Sequence, residues 1–422
     1  MTPRDVARRV LDRVAKGGAW ATLTLDGELE RSGLADRDRR LAAELVYGVL
    51  RYRSRLDRAL AVHADLKKTP PKVITALRLA AYQLLFLDRV PGYAAVDDAV
   101  TAARAAGGGK LAGFTNAVLR KLASRGEPAL PAGGRDRLEA EHALPAWIVD
   151  ELIAAAPADR LADIAAAFAQ PAPLVARGNP LKVTRDELIA QLTAAGATAA
   201  PIADAPMAIA LDGIGDPSKA PTFQAGLWTV QDLGAQRVAL LADPRPDQRI
   251  LDACAGVGGK STHLAELTAD RAAIDAADLS ATKLALAERT AHRLGLRGIT
   301  RRACDLLDPA APLAPAYDLI VLDAPCSGLG VLRRHPDAKW RLTPADVPRL
   351  ADLQRQLLDA VVPRLAPGGS LVYSVCTFTR AEGPAQIAAL TARTGLRLVA
   401  EERTWPPAAD AFYLARLERE ER

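Results

Sequence analysis

Two cysteines carry the chemistry open to this sequence. Cys326 stands in Asp323-Ala-Pro-Cys-Ser-Gly328 and Cys376 in Tyr373-Ser-Val-Cys-Thr377. Each falls where an apolar stretch expected to be a strand gives way to loop, which puts the two sulfurs at the C-terminal ends of adjacent strands. A thiolate is the soft nucleophile needed to add to a conjugated ring carbon. Asp323, two residues ahead of a proline, is placed to donate to or accept from a heterocycle nitrogen. The competing reading is a pair of inert, buried strand cysteines; their position at strand ends weighs against it.

A ligand site is expected beside them. Leu251 to Ser261 reads LDACAGVGGKS: the end of a buried strand, a glycine turn, and the start of a helix whose amides face that turn. Gly256, Gly258 and Gly259 permit tight turns and close backbone approach. The spacing is neither the dinucleotide fingerprint nor a phosphate-binding loop. Asp278 ends the next expected strand, where an acid accepts from ribose hydroxyls, and Asp305 ends the third, where it would face an adenine amine. Singly, each reads as well as a helix N-cap; together with the glycine turn they favour an adenosyl group. After Cys326 come Arg333, Arg334, His335, Lys339, Trp340 and Arg341, an interleaving of cations and an aromatic that suits phosphate contact and base stacking, or else an ordinary surface loop.

These residues need a scaffold of alternating strands and helices. Strands are expected at 249–254, 272–278, 298–304, 317–323 and 370–376, and helices at 260–268, 280–294, 344–365 and 381–394. Two further strand-like runs follow at 396–400 and 411–417. This is the pattern of a mostly parallel, doubly wound sheet. Residues 1 to about 125 are helical throughout. Val6, Val10, Leu11 and Val14 share one face, as do Leu41, Leu45, Val46, Val49 and Leu50. A longer apolar helix ends before Pro91, and two more cover 96–106 and 114–122. That is an all-α bundle. Gly126 to Gly134 is a turn-rich linker. Residues 146–168 look helical, and mixed elements to about 230 suggest a small α+β insert. The expected domains are 1–130, 140–235 and 236–422.

The chain has 422 residues, half apolar and a quarter charged, the balance of a water-soluble protein. No long uncharged apolar run is present, so no membrane span is expected, and the N-terminus has no secretory h-region. The four cysteines form no C-x-x-C pair, which suggests neither a zinc site nor a disulfide framework; a cytoplasmic setting follows. Residues 1–150 hold 25 Lys and Arg against 18 Asp and Glu, a net of +7, while the remainder nets −2. A basic front half suggests a polyanion partner, although a solvated helical surface has the same composition.

The motifs resemble those of S-adenosylmethionine-dependent RNA cytosine-5 methyltransferases: Cys254-Ala-Gly-Val-Gly-Gly-Lys260, Asp323-Ala-Pro-Cys326-Ser-Gly and Tyr-Ser-Val-Cys376-Thr. Tyr47-Gly-Val-Leu-Arg51, the Leu79 to Pro91 stretch and Phe114-Thr-Asn-Ala-Val-Leu-Arg120 look like a NusB-like bundle, and Thr229-Val-Gln-Asp-Leu-Gly-Ala-Gln236 like the lead-in to the catalytic domain. The whole is similar to the bacterial 16S ribosomal RNA cytosine-5 methyltransferases of the Fmu/Sun (RsmB) type. The resemblance implies a NusB-like bundle, a small α+β linker domain and a Rossmann-like class I methyltransferase domain. It implies S-adenosylmethionine as cofactor, cradled by Cys254, Ala255, Gly256, Val257, Gly258, Gly259 and Lys260, with Asp278 at the ribose, Asp305 at the adenine, and Asp323 at the methionine end or the target base. Cys376 would be the nucleophile and Cys326 would help release product. RNA contacts are expected from Lys260, Arg333, Arg334, His335, Lys339 and Trp340, on 16S rRNA as partner, with the protein a monomer and no metal required. The alternatives are the same chemistry on transfer RNA or another ribosomal site, and a non-catalytic RNA-binding protein. The sequence departs from the family at Gly256-Val257, usually Ala-Pro, and at Gly383, often Asn.

Overall fold

The computed structural model describes residues 1–88 and 90–421; Arg89, within the Leu79 to Pro91 stretch, lies outside them. The chain divides into two compact units. One comprises residues 1–171 with 332–342, and the other residues 172–331 with 343 onward.

The first unit is helical, as expected. Helix α1 (Pro3–Ala15) starts at a capping box in which Thr2 and Asp5 exchange side-chain and backbone bonds, and it buries Val6, Val10, Leu11 and Val14. It is followed by α2 (Ala21–Ser32), α3 (Asp36–Ala61), α4 (Pro71–Phe86) and α5 (Gly92–Arg125). The two helices expected at 96–106 and 114–122 lie on either side of a break within α5 at Gly107 and Gly108, the latter at φ 82°. Gly48 accounts for one of the sequence motifs. A Cβ there would lie 2.0 Å from Cζ of Tyr82, so α3 and α4 approach as closely as they do only with glycine at that position. The Tyr82 hydroxyl donates to Glu44 at 2.5 Å, and its ring stacks with those of Tyr52 and Phe86. The helix expected at 146–168 is two, Ala146–Ala155 and Leu161–Phe168, parted around Pro157, which has no amide to continue the first.

The second unit carries two sheets. Strands β1 (Leu174–Gly178), β2 (Thr198–Pro201), β3 (Ala208–Asp212) and β4 (Trp228–Val230) form an antiparallel sheet in the order β2-β3-β1-β4. Helix Arg185–Ala194 enters it through the Thr184/Glu187 capping box that the sequence displays. The larger sheet contains β5 (Arg249–Ala253), β6 (Ala273–Asp278), β7 (Ile299–Ala303), β8 (Tyr317–Asp323), β9 (Leu365–Val375), β10 (Arg397–Thr404) and β11 (Phe412–Glu418), in the order β10-β11-β9-β8-β5-β6-β7. β5 to β9 run parallel, and β10 and β11 are antiparallel. The central strands are buried on both faces: Ile250, Leu251, Ile320, Val321, Leu371 and Val372 are all within 1 % of zero exposure, which is why they read as continuous apolar runs. The chain progresses from β5 outward through β6 to β7, then returns to place β8 on the other side of β5. That reversal makes the carboxyl ends of β5 and β8 the topological switch point, where ligands of open α/β sheets sit.

Candidate active site

Every chemical group singled out in the second unit lies at the carboxyl ends of these parallel strands. β5 delivers Asp252 and then Cys254, which turns into left-handed geometry at φ 64°. Gly256 (φ 57°) and Gly258 (φ 79°) complete the turn. Gly258 is doubly required, because a Cβ there would come within 2.6 Å of Ala287 Cβ. The helix Gly259–Leu267 begins at Gly258 with no side-chain cap, which leaves amides directed toward the turn.

Asp278, at the end of β6, is not a helix cap; Ser280 performs that role. The Asp278 carboxylate accepts from the Gly256 amide at 2.9 Å and from the Ser280 amide at 2.8 Å, so it braces the glycine turn from the neighbouring strand. Its sequence neighbour Leu279 is 75 % exposed and Val257 is 55 % exposed, leaving apolar surface uncovered beside an acidic group. Asp305 accepts from the Leu307 amide at 2.9 Å in a local turn. Asp252 is fully buried; burial raises its carboxyl pKa to about 6, against the opposing pull of a hydrogen bond from Ser261 and the charge of Lys260. Its Oδ1 has no hydrogen-bond partner.

At β8 and β9 the structure brings Asp323, Cys326 and Cys376 together. Lys260 Nζ lies 2.5 Å from Asp323 Oδ2, and Ser374 donates to Asp323 Oδ1 at 2.7 Å. Burial pulls the Lys260 pKa down, yet the negative charges of Asp323, Asp252 and Cys376 outweigh it and the net shift is upward, so the ammonium persists. The sulfurs of Cys326 and Cys376 are 3.4 Å apart. The hydrogen bond to Cys376 is the chief reason the Cys326 thiol is pushed well up, with burial and the charges of Cys376, Glu382 and Asp323 adding to it; Cys326 therefore keeps its proton. Gly330 lets the two loops close on each other. Its amide donates to the Cys376 carbonyl at 3.0 Å, and a Cβ there would sit 1.8 Å from the Ala411 carbonyl oxygen.

Behind the sulfurs lies a residue to which sequence reading assigned no role. Glu382 is fully buried and accepts from the Ser327 amide (2.7 Å), the Ser327 hydroxyl (2.6 Å), the Thr379 hydroxyl (2.8 Å) and the Gln354 amide (3.1 Å). The nearby departure at Gly383 is filled by a neighbour: the Tyr413 ring packs where a Cβ would stand, 2.9 Å from Cγ. The smaller sheet is wired to the cofactor turn as well. Arg177 of β1, completely buried, pairs with Glu266 at 2.8 Å and donates to the Gly259 carbonyl at 2.9 Å and to Thr262 at 3.0 Å. Gln231, in the Thr229 to Gln236 motif, donates to the same Gly259 carbonyl at 3.1 Å.

The basic run after Cys326 is placed differently from its expected role. Residues 332–342 belong to the first unit. Lys339 is 2 % exposed and donates to the carbonyls of Arg51 (2.7 Å) and Ala143 (2.9 Å). Trp340 donates to the Leu50 carbonyl at 2.6 Å, and Arg333, 3 % exposed, accepts at its carbonyl from Arg51. Arg341 stacks on Trp20, 3.6 Å from the ring centroid. The Lys339 ammonium and the Trp340 indole N–H are thus engaged inside the helical unit, where a phosphate or base does not meet them; Arg334 is half-buried and His335 exposed. The same unit carries a groove of about 1210 Å³ whose walls include Arg4, Tyr93, Arg104, Asn116 and Arg120. Among the described residues no group of side chains could hold a metal ion, and no helix is long and apolar enough to cross a membrane.

Comparison with known proteins picks out three segments of the chain, of which the middle one spans the boundary between the two units. A family profile described as 16S rRNA methyltransferase RsmB/F matches residues 239–418, a NusB family profile matches 1–124, and a ferredoxin-like domain profile of RsmF/B-like methyltransferases matches 144–216. The chain is 36 % identical over 393 residues to a probable ribosomal RNA small subunit methyltransferase B of Synechocystis, covering 92 % of this chain and 88 % of that one. It is 37 % identical over 399 residues to ribosomal RNA small subunit methyltransferase B of Pseudomonas putida, covering 93 % and 90 %. In fold it is similar to the crystal structure of PH0851, with a TM-score of 0.83 at 21 % identity over 99 % of both chains.

Proposed function

The chain belongs to the 16S rRNA methyltransferase RsmB/F family, and from that premise we propose that it transfers a methyl group from S-adenosylmethionine to carbon 5 of a cytosine in small-subunit ribosomal RNA. The observation that carries the chemistry is the contact of two cysteine sulfurs, 3.4 Å apart, beside the Lys260–Asp323 ion pair at 2.5 Å.

The residues present fit an adenosyl sulfonium. Asp278, whose oxygens take the Gly256 and Ser280 amides, keeps capacity for a further donor, the uncovered Leu279 and Val257 offer apolar contact to a base, Asp305 has one oxygen beyond its bond from Leu307, and the unpartnered Oδ1 of Asp252 is a buried acceptor at the end of β5. When bound, the cofactor supplies an already activated methyl group, so nothing in this chain has to polarise it.

The protein's part is to make carbon 5 nucleophilic. The Cys376 thiolate, stabilised by the Lys260 charge and by the Cys326 S–H, bonds to carbon 6 of the ring. The ring electrons move toward carbon 5 and nitrogen 3, and the Lys260–Asp323 pair lends nitrogen 3 a proton to meet the charge that develops there, taking it back when the adduct breaks down. Carbon 5 takes the methyl. The proton at carbon 5 must then leave so that the sulfur–carbon 6 bond can break. Once Cys376 is a thioether it bears no charge, and the main cause holding the proton on Cys326 is gone. Cys326 then releases that proton to water and accepts the one from carbon 5, and Cys376 departs as thiolate. The target base leaves its stack to reach this site, and the groove of the helical unit, with Arg104, Arg120 and Tyr93, grips the RNA backbone, together with Arg334 and His335.

The test is to incubate the Cys326→Ala variant with labelled cofactor and small-subunit rRNA. A protein–RNA adduct that survives denaturing electrophoresis, together with 5-methylcytosine formed by the unaltered protein on that RNA and not on transfer RNA, is expected. No adduct and no 5-methylcytosine would overturn the reading, and methylation of transfer RNA in preference would overturn the substrate.

A further inference from the structure

We propose that Glu382 is the positioning residue that holds the two cysteine loops in register, joining the strand that ends at Cys326 to the strand that ends at Cys376. The inference deepens the cysteine reading above and rests on it only for its catalytic consequence; its geometric content stands alone.

The carboxylate meets donors from both loops at once. From the loop after β8 it takes the amide and hydroxyl of Ser327, the residue following Cys326. From the loop after β9 it takes the hydroxyl of Thr379 at 2.8 Å and, more weakly, that of Thr377 at 3.3 Å, the residue following Cys376. Ser327 and Thr377 also touch hydroxyl to hydroxyl at 2.9 Å. Gln354, which also donates to the Pro325 carbonyl at 2.9 Å, supplies a further donor. The backbone of Glu382 is fixed too: its carbonyl accepts from the Tyr373 hydroxyl at 2.6 Å. Every side chain in this set except Gln354 is within three residues of one of the two cysteines or of Glu382 itself, and Ser327, Thr377, Thr379 and Glu382 are all buried.

An acceptor with no proton of its own is what such a set requires. A buried carboxylate satisfies four or five donors, whereas an amide of the same shape turns one end into a donor facing donors. The charge acts on the sulfurs besides. The titratable groups that bear on Cys326 are Cys376, Glu382, Asp323 and Tyr373, while Lys260 of the cofactor helix interacts with Cys376; of these Glu382 is the one tied by hydrogen bond to the residue next to Cys326. The Glu382 carboxylate thus adds to the hydrogen bond from Cys376 and the burial that push the Cys326 thiol upward.

The test compares the full-length protein with Glu382→Gln, using a readout that needs no RNA: alkylation of each cysteine by iodoacetamide at pH 8, followed by mass spectrometry. In the unaltered protein Cys376 should react at least tenfold faster than Cys326. In E382Q the preference should shrink to within threefold, because the loops lose register and Cys326 loses the neighbouring charge. Cofactor binding by calorimetry should stay within threefold, since the glycine turn is held from β5 and β6. Methyl transfer should fall at least a hundredfold. If E382Q does not fold, Ser327→Ala removes one hydroxyl donor and should move the alkylation ratio in the same direction, while Thr379→Ser, which keeps the hydroxyl, should leave it unchanged. Alkylation rates in folded E382Q, or in S327A, equal to those of the unaltered protein would overturn the proposal. An altered ratio in a protein that never methylates RNA would instead leave the positioning intact and refute the cysteine chemistry.

Discussion

Lys260 and Lys339 are both withdrawn from bulk water, and their surroundings treat the charge in opposite ways. Lys260 faces carboxylates and a sulfur, and its pKa is raised. Lys339 has two carbonyl dipoles, the face of the Trp340 ring at 5.4 Å and the nearby Arg51 guanidinium, but no anion among these partners, and burial pushes its pKa down to about 7. The first arrangement keeps a cation beside groups able to gain or lose charge, as functional sites do. The second spends a costly desolvation on joining Arg51 and Ala143 to residues 332–342. A buried cation is therefore informative only with its partner: an anion that can gain or lose charge marks chemistry, and a pair of carbonyls marks architecture.

The contrast breaks most visibly at the sulfur. Cys376→Ala should lower methyl transfer by about a thousandfold or more while leaving cofactor affinity in place, checked by single-turnover transfer and by calorimetry. A variant that still forms 5-methylcytosine at a tenth of the normal rate would remove Cys376 from the reaction. Next, Lys260→Met should reduce transfer by roughly ten- to a hundredfold, the range expected when one preorganised charge is lost from a low-dielectric site, whereas Lys339→Met should leave transfer within threefold. Equal losses in both would erase the distinction.

The third test is the pH dependence of stability. The folded pKa of Lys339, about 7, lies below its ordinary value of 10.5, so between these values the unfolded chain binds the extra proton and stability rises with pH. Below pH 7 the penalty is present in full, and above 10.5 it is gone. At about 1.4 kcal/mol per unit the span is on the order of 3–5 kcal/mol. The unfolding temperature of the unaltered protein minus that of Lys339→Met should thus climb by several degrees from pH 7 to pH 10; a flat difference would mean that the ammonium is solvated. The smallest effect belongs to the groove of the helical unit: Arg120→Ala should weaken RNA binding uniformly across sequences and reduce the slope of log affinity against log salt by about one, measured by titration at several salt concentrations.

Much of the site's placement was legible because short-range chemistry fixes it. Asp278 and the glycines of 256–259 act within one strand end or turn, and Cys326 and Cys376 mark the ends of β8 and β9 through the apolar runs before them. The strands came within a few residues of their expected bounds, except β9, which starts five residues early at Leu365. Contacts that join distant stretches were not legible. Glu382 has no spacing that ties it to Ser327, and a glutamate ahead of a helix reads as a solvated first-turn acid. The run Arg333 to Arg341 has the composition of a nucleic-acid contact, and only its packing against Leu50, Arg51 and Trp20 shows that Lys339 and Trp340 are consumed internally. The helix break at Gly107–Gly108 was legible from the glycines, and helical stretches lie on both sides of it as expected.

The membership of residues 332–342 in the first unit has a consequence for the order of synthesis. The helices up to Phe168 leave the ribosome with the carbonyls of Leu50, Arg51 and Ala143 still lacking the donors of Lys339 and Trp340. Those donors are translated about 170 residues later, a delay of roughly ten to thirty seconds at ordinary elongation rates. Until then the amino-terminal bundle is an unfinished object, and a nascent chain truncated before Leu342 should be far more open to protease there than the completed one.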